Sequence, residues 1–338
     1  MTAADRRLGR PPRTAQRGAA LLLAMLIVTL VATLAAAMVW QQWRATRVEA
    51  AERARSQSAW ILAGALDWAR LILREDNPNV DHLGEPWAVP LAEARLSSFL
   101  AAEGDSNLDD GPQAFLSGSV TDAQARYNLN NLVVGSEVVA AELATLERLF
   151  GSLGVPVASA ATIANGLADA DPDGRSGAAP VPVAASGASA AGFVQRQQNP
   201  NPPLRPQSLE QLAWFGIDRE ALQLMRPHVA LLPALTPINL NTATAEVMVA
   251  VIDKLDAAGA QRLVQTRERR PFDNIASVQA LLGESITLDE RRVAVASGFF
   301  EVRGRLRLGE RALEERSLVQ RVQRQVTVLT RERVGAVP

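Results

Sequence analysis

Residues 18–40 read GAALLLAMLIVTLVATLAAAMVW, and the reading of the whole chain turns on where this stretch is housed. From Ala19 to Trp40 run 22 residues without a charge, interrupted only by the hydroxyls of Thr29 and Thr33. Wound as a helix, such a run crosses a hydrocarbon core about 30 Å thick. The tail ahead of it carries Arg6, Arg7, Arg10, Arg13 and Arg17 against Asp5 alone, and cationic flanks of this kind stay on the cytoplasmic side. The expectation is a single pass through the inner membrane, N-terminus cytoplasmic, with nearly everything after Trp40 in the periplasm. A cleaved secretory signal does not fit, because its apolar region is typically about 7–15 residues long. Nor does the pattern stop at Trp40. Trp60, Gly64, Trp68 and Leu71 fall on one helical face with Ile61, Ala65 and Ile72 beside them, which predicts one continuous helix from about Ala19 to Arg74.

The remainder has the composition of a folded protein: 48% of the 338 residues are hydrophobic, so disorder throughout is excluded. A formal charge of −1 provides no global field for nucleic acid. The chain has no cysteine, which removes disulfides, thiolate nucleophiles and cysteine zinc sites. With His82 and His228 as the only imidazoles and no GxSxG, HExxH, P-loop or GxGxxG pattern, the sequence points away from an enzyme.

Along the body, Asn77–Pro90 reads as a loop and Leu91–Ala102 as a short helix. Gly118–Leu132 reads as a strand entering a capped turn. Helical spacing follows over Glu137–Phe150, Ser208–Leu212, Asp218–Val229, Ala243–Asp253 and Ala258–Arg269. Gly174–Pro206, rich in Ala, Gly, Pro and Ser, reads as a mobile excursion. At the end, Phe300, Val302, Leu306 and Leu308 alternate with Glu301, Arg303, Arg305 and Arg307. With Leu313–Val322 and Gln325–Arg331 they predict a three-stranded antiparallel meander. Nine arginines between Phe299 and Arg333 outnumber five glutamates and read as a solvated outer face.

The basic leader ending in Gly18, followed at once by an apolar helix that turns amphipathic, resembles the type IV pilin and pseudopilin class. The resemblance implies cutting by a prepilin peptidase between Gly18 and Ala19. Most members carry a glutamate at the fifth mature position, which can neutralise a neighbour's N-terminal ammonium in the filament core; here that position is Leu23. An ammonium buried without a partner is costly, so this subunit suits the top of a filament. Together with DAQARYNLNNL from Asp122, LEQLAWFGID from Leu209 and PINLNTATAEVM from Pro237, the layout resembles the K-type minor pseudopilin of type II secretion systems (the GspK family).

That resemblance implies an α+β fold: a pilin-like N-terminal transmembrane helix on a small antiparallel sheet, with a large, mainly α-helical inserted domain containing a helix-hairpin-helix (SAM-like) motif. The expected boundaries are a cytoplasmic leader at 1–18, the transmembrane helix at 19–42, a periplasmic helix and first part of the core at 43–127, the inserted domain at 128–292 and the closing sheet at 293–338. The implied role is assembly of the periplasmic pseudopilus tip with I-type and J-type minor pseudopilins and other type II secretion components, in support of export of folded proteins.

Two constellations bear on chemistry. Asp169, Asp171 and Asp173 stand two residues apart before Gly174, as in the opening of a calcium loop. Pro180 replaces the closing glutamate of an EF-hand, and the calcium-binding segment that the family places near an acidic stretch is here Gly177-Ala178-Ala179-Pro180, without its acids. The expectation is one calcium ion on the three aspartates. Pro237–Phe272 also resembles the helix-hairpin-helix modules of competence-type DNA receptors, so the rival reading is a membrane-anchored DNA-binding protein. Its hairpin, Asp253-Lys254-Leu255-Asp256-Ala257, lacks glycine and carries two carboxylates that repel phosphate. Nucleic acid is therefore not expected as a partner, and Asn239, Asn241 and Thr242 are read as a capped helix entry.

Overall fold

The computed structural model describes residues 17–95, 114–170, 193–194, 201–309 and 311–334. The chain divides between Trp60 and Ile61 into two units, and helix α1 (Arg17–Glu75) contributes to both without a break, as its sequence predicts.

In the first unit the apolar residues of α1 from Ala19 to Ala51 have no cover. Leu22, Leu23, Leu26 and Val31 are all more than half exposed. The two hydroxyls in the stretch bond back into the helix, Thr29 Oγ1 to the Leu26 carbonyl and Thr33 Oγ1 to the Leu30 carbonyl, both at 2.9 Å. No side-chain hydroxyl is left to oppose immersion in lipid. At the end of the apolar run, Trp40 and Trp43 sit with ring centroids 5.3 Å apart and the Arg47 guanidinium 4.8 Å from the Trp43 ring. Amphipathic rings of this kind settle at a membrane–water boundary.

In the second unit, strands β1 (Leu91–Arg95) and β2 (Ala114–Asp122) open the sheet. The short strands β3 (Tyr127–Asn128), β4 (Val133–Val134) and β5 (Glu137–Val139) lead into helices α2 (Ala140–Leu153) and α3 (Ala158–Asp169). Then come β6 (Phe193–Val194), α4 (Arg219–Met225), β7 (Val229–Ala230) and β8 (Ile238–Asn239). Helices α5 (Ala245–Val251), α6 (Ala257–Arg269) and α7 (Ile275–Leu282) follow, and β9 (Val293–Ala294) leads to the closing strands β10 (Phe299–Leu308), β11 (Arg311–Val322) and β12 (Gln325–Val334).

The main sheet is antiparallel with strand order β1-β2-β10-β11-β12. The expected three-stranded meander is present and is extended by two early strands. Because β2 and β10 are neighbours, the residues between them form a helical block that leaves the sheet and returns to it. Leu91–Arg95, expected as helix, is instead the edge strand β1, with Ala94 opposite Leu116 and Arg95 opposite Phe115. Ladder pairing outweighs a helix propensity worth only tenths of a kcal/mol per residue; residues 96–102 lie outside the described residues. The excursion expected over Gly174–Pro206 is also corrected in part. β6 pairs antiparallel with β5, and Pro206 is buried.

The end of α1 lies on the sheet through Leu62, Leu66, Ala69 and Leu73, which meet Trp87, Leu116, Val120, Phe300, Val302 and Val319. This stripe is rotated from the expected one: Trp68 and Leu71 remain about half exposed, and Ile61, Ala65 and Ile72 only flank the contact. Periodicity placed the helix, but the two tryptophans biased the choice of face. Paired glycines sit at this contact, one tight against the neighbouring strand and one under α1. Gly118 lies opposite Gly304; a Cβ on Gly118 would stand 2.8 Å from the Arg303 carbonyl oxygen, and one on Gly304 would stand 3.2 Å from Leu62 Cδ2. Beside the contact an apolar groove of about 670 Å³ runs between α1 and the sheet, bordered by Trp68, Trp87 and Val89.

The helical block has its own core. Leu146, Leu149 and Phe150 of α2 join Ile163 and Leu167 of α3, Met225 of α4, Val247 and Met248 of α5, Leu263 of α6 and Val278 of α7. Burying each such side chain contributes about 1.5–3 kcal/mol. Asp218 caps α4, Asp256 caps α6 and Asn274 caps α7, each accepting a bond from a first-turn amide.

Candidate functional site

Where the sheet hands the chain to the helical block, two buried carboxylates organise the crossing. Asp122 closes β2, and its side chain accepts four hydrogen bonds: from the Gln124 amide (2.7 Å), Thr242 Oγ1 (2.5 Å), Ser297 Oγ (2.6 Å) and Asn239 Nδ2 (2.9 Å). Asp81, in the loop after α1, bonds its backbone amide to the Val295 carbonyl at 2.9 Å. Its carboxylate takes Nη2 of Arg321 at 2.5 and 2.6 Å and the Ser297 amide at 2.7 Å. Arg321 also reaches Asp76 at 3.2 Å and the Ser297 carbonyl at 3.1 Å, and lies over the Phe300 ring. One arginine of β11 thus ties the loop after α1 to the strand that leaves the helical block.

The neighbouring asparagines clamp the incoming segment. Asn128 donates to the Ala234 carbonyl and Thr236 Oγ1, and accepts from the Leu232 and Asn130 amides. Asn130 donates to the Leu232 carbonyl, and Asn131 exchanges bonds with both backbone groups of Thr236. Gln124 joins the Pro237 carbonyl (2.9 Å) to the Gly298 amide (2.6 Å). The expected capped turn is present, with Asn128 capping the Leu129–Leu132 turn, and its asparagines also form a side-chain ladder that satisfies backbone groups which burial would otherwise leave unpaired.

Burial governs the electrostatics here. Desolvation pushes the Asp81 carboxyl up to about 7, with Arg321 and the Ser297 amide pulling the other way and Asp122 adding repulsion. Asp122 is raised for the same reason against four donors, and Glu85 is raised by burial. Ligand oxygens of Asp76, Asp81 and Glu85 lie within 4.8 Å of one another. The Arg321 guanidinium already occupies this cluster, while Glu85 is engaged by Trp87 Nε1 at 2.6 Å and the His82 amide at 2.9 Å. The cluster is a charge clamp and does not suit a cation. Its chemistry is positional: it fixes one folded unit against another part of the same unit.

The residues nominated from sequence are not gathered at this junction. Gly18 and Ala19 lie in the first turn of α1, and Leu23, one turn later, is 61% exposed. Asp169 ends α3 half-buried, while Asp171 and Asp173 lie outside the described residues, as does most of the leader. Asn239, Asn241 and Thr242 are not the helix cap they were expected to be. Thr244 caps α5, whereas Asn239 bridges the Asp81 carbonyl, Asp122 and Ser297, and Asn241 exchanges two bonds with the Phe272 backbone. In the turn between α5 and α6, the Asp256 carboxylate holds the Gly259 amide at 2.7 Å and Asp253 pairs with Arg148 at 3.0 Å. Acid therefore already holds the helix start that would receive a phosphate.

Asp81, Ser297 and Arg321 were missed by sequence reasoning. A usable signal existed for Arg321. It shares the inward period of Ser317 and Val319 along β11, so its side chain had to point into the structure.

Comparisons with known proteins agree with this layout. Two family models, both described as type II secretion system protein K, match residues 125–234 and 238–295. These are the helical block up to the return strand, including both interlocked Asn-rich stretches. The chain is 27% identical to type II secretion system protein K of Pseudomonas aeruginosa, covering 88% of this chain and 87% of that protein. It is 28% identical to the protein of the same name from Klebsiella pneumoniae, covering 94% and 96%. In a crystal structure of the GspK-GspI-GspJ complex from enterotoxigenic Escherichia coli, one chain matches with a TM-score of 0.57 at 22% identity, covering 85% of this chain and 99% of that one. The chain belongs to the type II secretion system protein K family.

Proposed function

We propose that this chain acts at the tip of the type II secretion pseudopilus, starting its assembly with I-type and J-type minor pseudopilins and so supporting export of folded proteins. The carrying observation is α1. Its apolar surface is uncovered from Ala19 to Ala51, yet the same helix continues into a core where it lies on a sheet. A helix built this way needs a bilayer before assembly and lateral partners after it. The fold match to a chain solved with GspI and GspJ supports those two partners.

On this reading a prepilin peptidase cuts between Gly18 and Ala19, and residues 19–42 anchor the chain in the inner membrane with the bulk periplasmic. The body keeps the division into 43–127, 128–292 and 293–338. Leu23, lacking a carboxylate, leaves no counter-charge for a subunit stacked above it. Helices α5 and α6 retain a helix-hairpin-helix shape whose phosphate site is lost to Asp253 and Asp256. Asp169, Asp171 and Asp173 bind one calcium ion. The role is one of assembly, with no catalytic step.

The test mixes the detergent-solubilised chain with purified I-type and J-type pseudopilins. A ternary complex of equal stoichiometry, with an N-terminus at Ala19 by sequencing, is the expected result. Elution as separate species, or an N-terminus beyond Trp40, overturns the reading.

A further inference from the structure

The face of the sheet turned away from α1 carries a second charged arrangement that the junction does not use. Glu301 of β10 is buried there, and three guanidiniums converge on its one carboxylate. Arg303 Nε lies at 2.7 Å, Arg126 Nη2 at 3.1 Å and Arg316 Nε at 3.3 Å. Each guanidinium carries five N–H donors, so this site is short of acceptors. Arg316 Nε, though near Glu301, is buried without a hydrogen-bond partner among the described residues. The surrounding arginines hold the Glu301 carboxyl below its ordinary range despite its burial.

Beside these groups opens a cleft of about 100 Å³ between the sheet and the helical block. Its charged lining is Arg126, Arg226, Arg303 and Arg316 against Glu210, Glu301 and Glu332, four positive groups against three negative. Arg226 and Glu210 already neutralise each other, and Glu332 is the cross-strand neighbour of Arg316. One positive charge remains. Half-buried Leu209, Leu231 and Leu318 supply an apolar rim.

We infer that this cleft receives the carboxylate of one acidic side chain from a protein partner, its methylene stem lying on the leucines and its oxygens taking up free arginine donors. The volume admits that occupant, since about 10–15 Å³ of such space already holds a water. The surplus of a single charge matches one carboxylate, and Glu332 and Glu210 disfavour a phosphate dianion or a polyanion. Arginine held in a fixed fork is the side chain best adapted to carboxylate recognition. The inference does not depend on the chain's position in a filament.

The test uses the full chain in detergent micelles and the peptide acetyl-Leu-Glu-Leu-amide, with its glutamine twin at matched ionic strength, followed by saturation-transfer NMR. The glutamate peptide is expected to bind with a Kd of about 1 mM, and the glutamine twin at least about 10-fold more weakly. Arg303→Gln should weaken binding at least about 5-fold. Glu301→Gln, which removes the resident competitor, should tighten it at least about 3-fold. Arg333→Gln removes the same unit of charge from the other face of β12, where Arg333 lies near Glu315, and should change nothing. Melting curves check that each variant folds. If Glu301→Gln does not, Arg303→Gln still decides, because its side chain is 44% exposed. Equal binding of the two peptides, equal losses from Arg303→Gln and Arg333→Gln, displacement by sodium acetate at the peptide's own concentration, or no binding below about 10 mM would each overturn the inference.

Discussion

Arg321 is the cation that the buried Asp81 carboxylate touches, and its side chain is only 2% exposed. Removing one partner of a buried ion pair strands the other charge, which costs about 3–5 kcal/mol. At pH 8, above the folded-state titration of Asp81, Arg321→Met should therefore lower the urea midpoint by that equivalent, and a loss below about 1 kcal/mol there would mean that Asp81 is not charged. The pH dependence has a definite sign. Asp81 titrates at about 7 when folded and near 3.8 when unfolded. Between those values the native state holds a proton that the unfolded state has released, so this group's contribution is full below about 3.8, falls as pH rises, and is flat above about 7. The fall is at most about 4 kcal/mol, and Asp122 is shifted in the same direction. Asp81→Asn should flatten the slope of unfolding free energy between pH 5 and 7.5; parallel curves for mutant and wild type would contradict the assignment.

At the scale of elements, most of what was legible came from period and caps. The unbroken helix from Ala19 to Arg74 and the closing meander follow from patterns that need no partner to be recognised. The face of α1 that meets the sheet did not follow. Trp68 and Leu71 are larger than Ala69, yet Ala69 is inside, because the contact is fixed by the leucines of its own stripe, Leu62, Leu66 and Leu73, with Leu62 seated over Gly304. A Cβ at Gly118 would press on the Arg303 carbonyl, which belongs to the paired strand and cannot rotate away. Gly118→Ala should cost about 1–3 kcal/mol through this overpacking, read as a lower melting temperature with unchanged far-ultraviolet circular dichroism. A neutral outcome would show that the β2–β10 spacing is softer than the ladder implies.

For the whole molecule, the calcium proposal is tested by melting the detergent-solubilised chain with calcium and with chelator. Saturation at 100 times Kd adds about 2.7 kcal/mol, which raises the melting temperature by several degrees; the gain should vanish in Asp169→Asn combined with Asp171→Asn and Asp173→Asn. An identical melting temperature in both conditions would remove calcium from the description. What the sequence determined by itself was written in long contiguous patterns: the membrane-length helix, its basic flank, most of the helical middle and the alternating final strands, but not the short stretch Leu91–Arg95. Such features are local, since hydrogen bonding and amphipathic period are settled within one segment. Only the tertiary structure decided the rest. Asp81, Asp122, Asn239, Ser297 and Arg321 are separated by up to 240 positions and carry no common motif, yet they meet in one buried network. A carboxylate becomes a clamp only when folding has withdrawn it from water and brought its donors to it, and no property of the separate residues records that encounter.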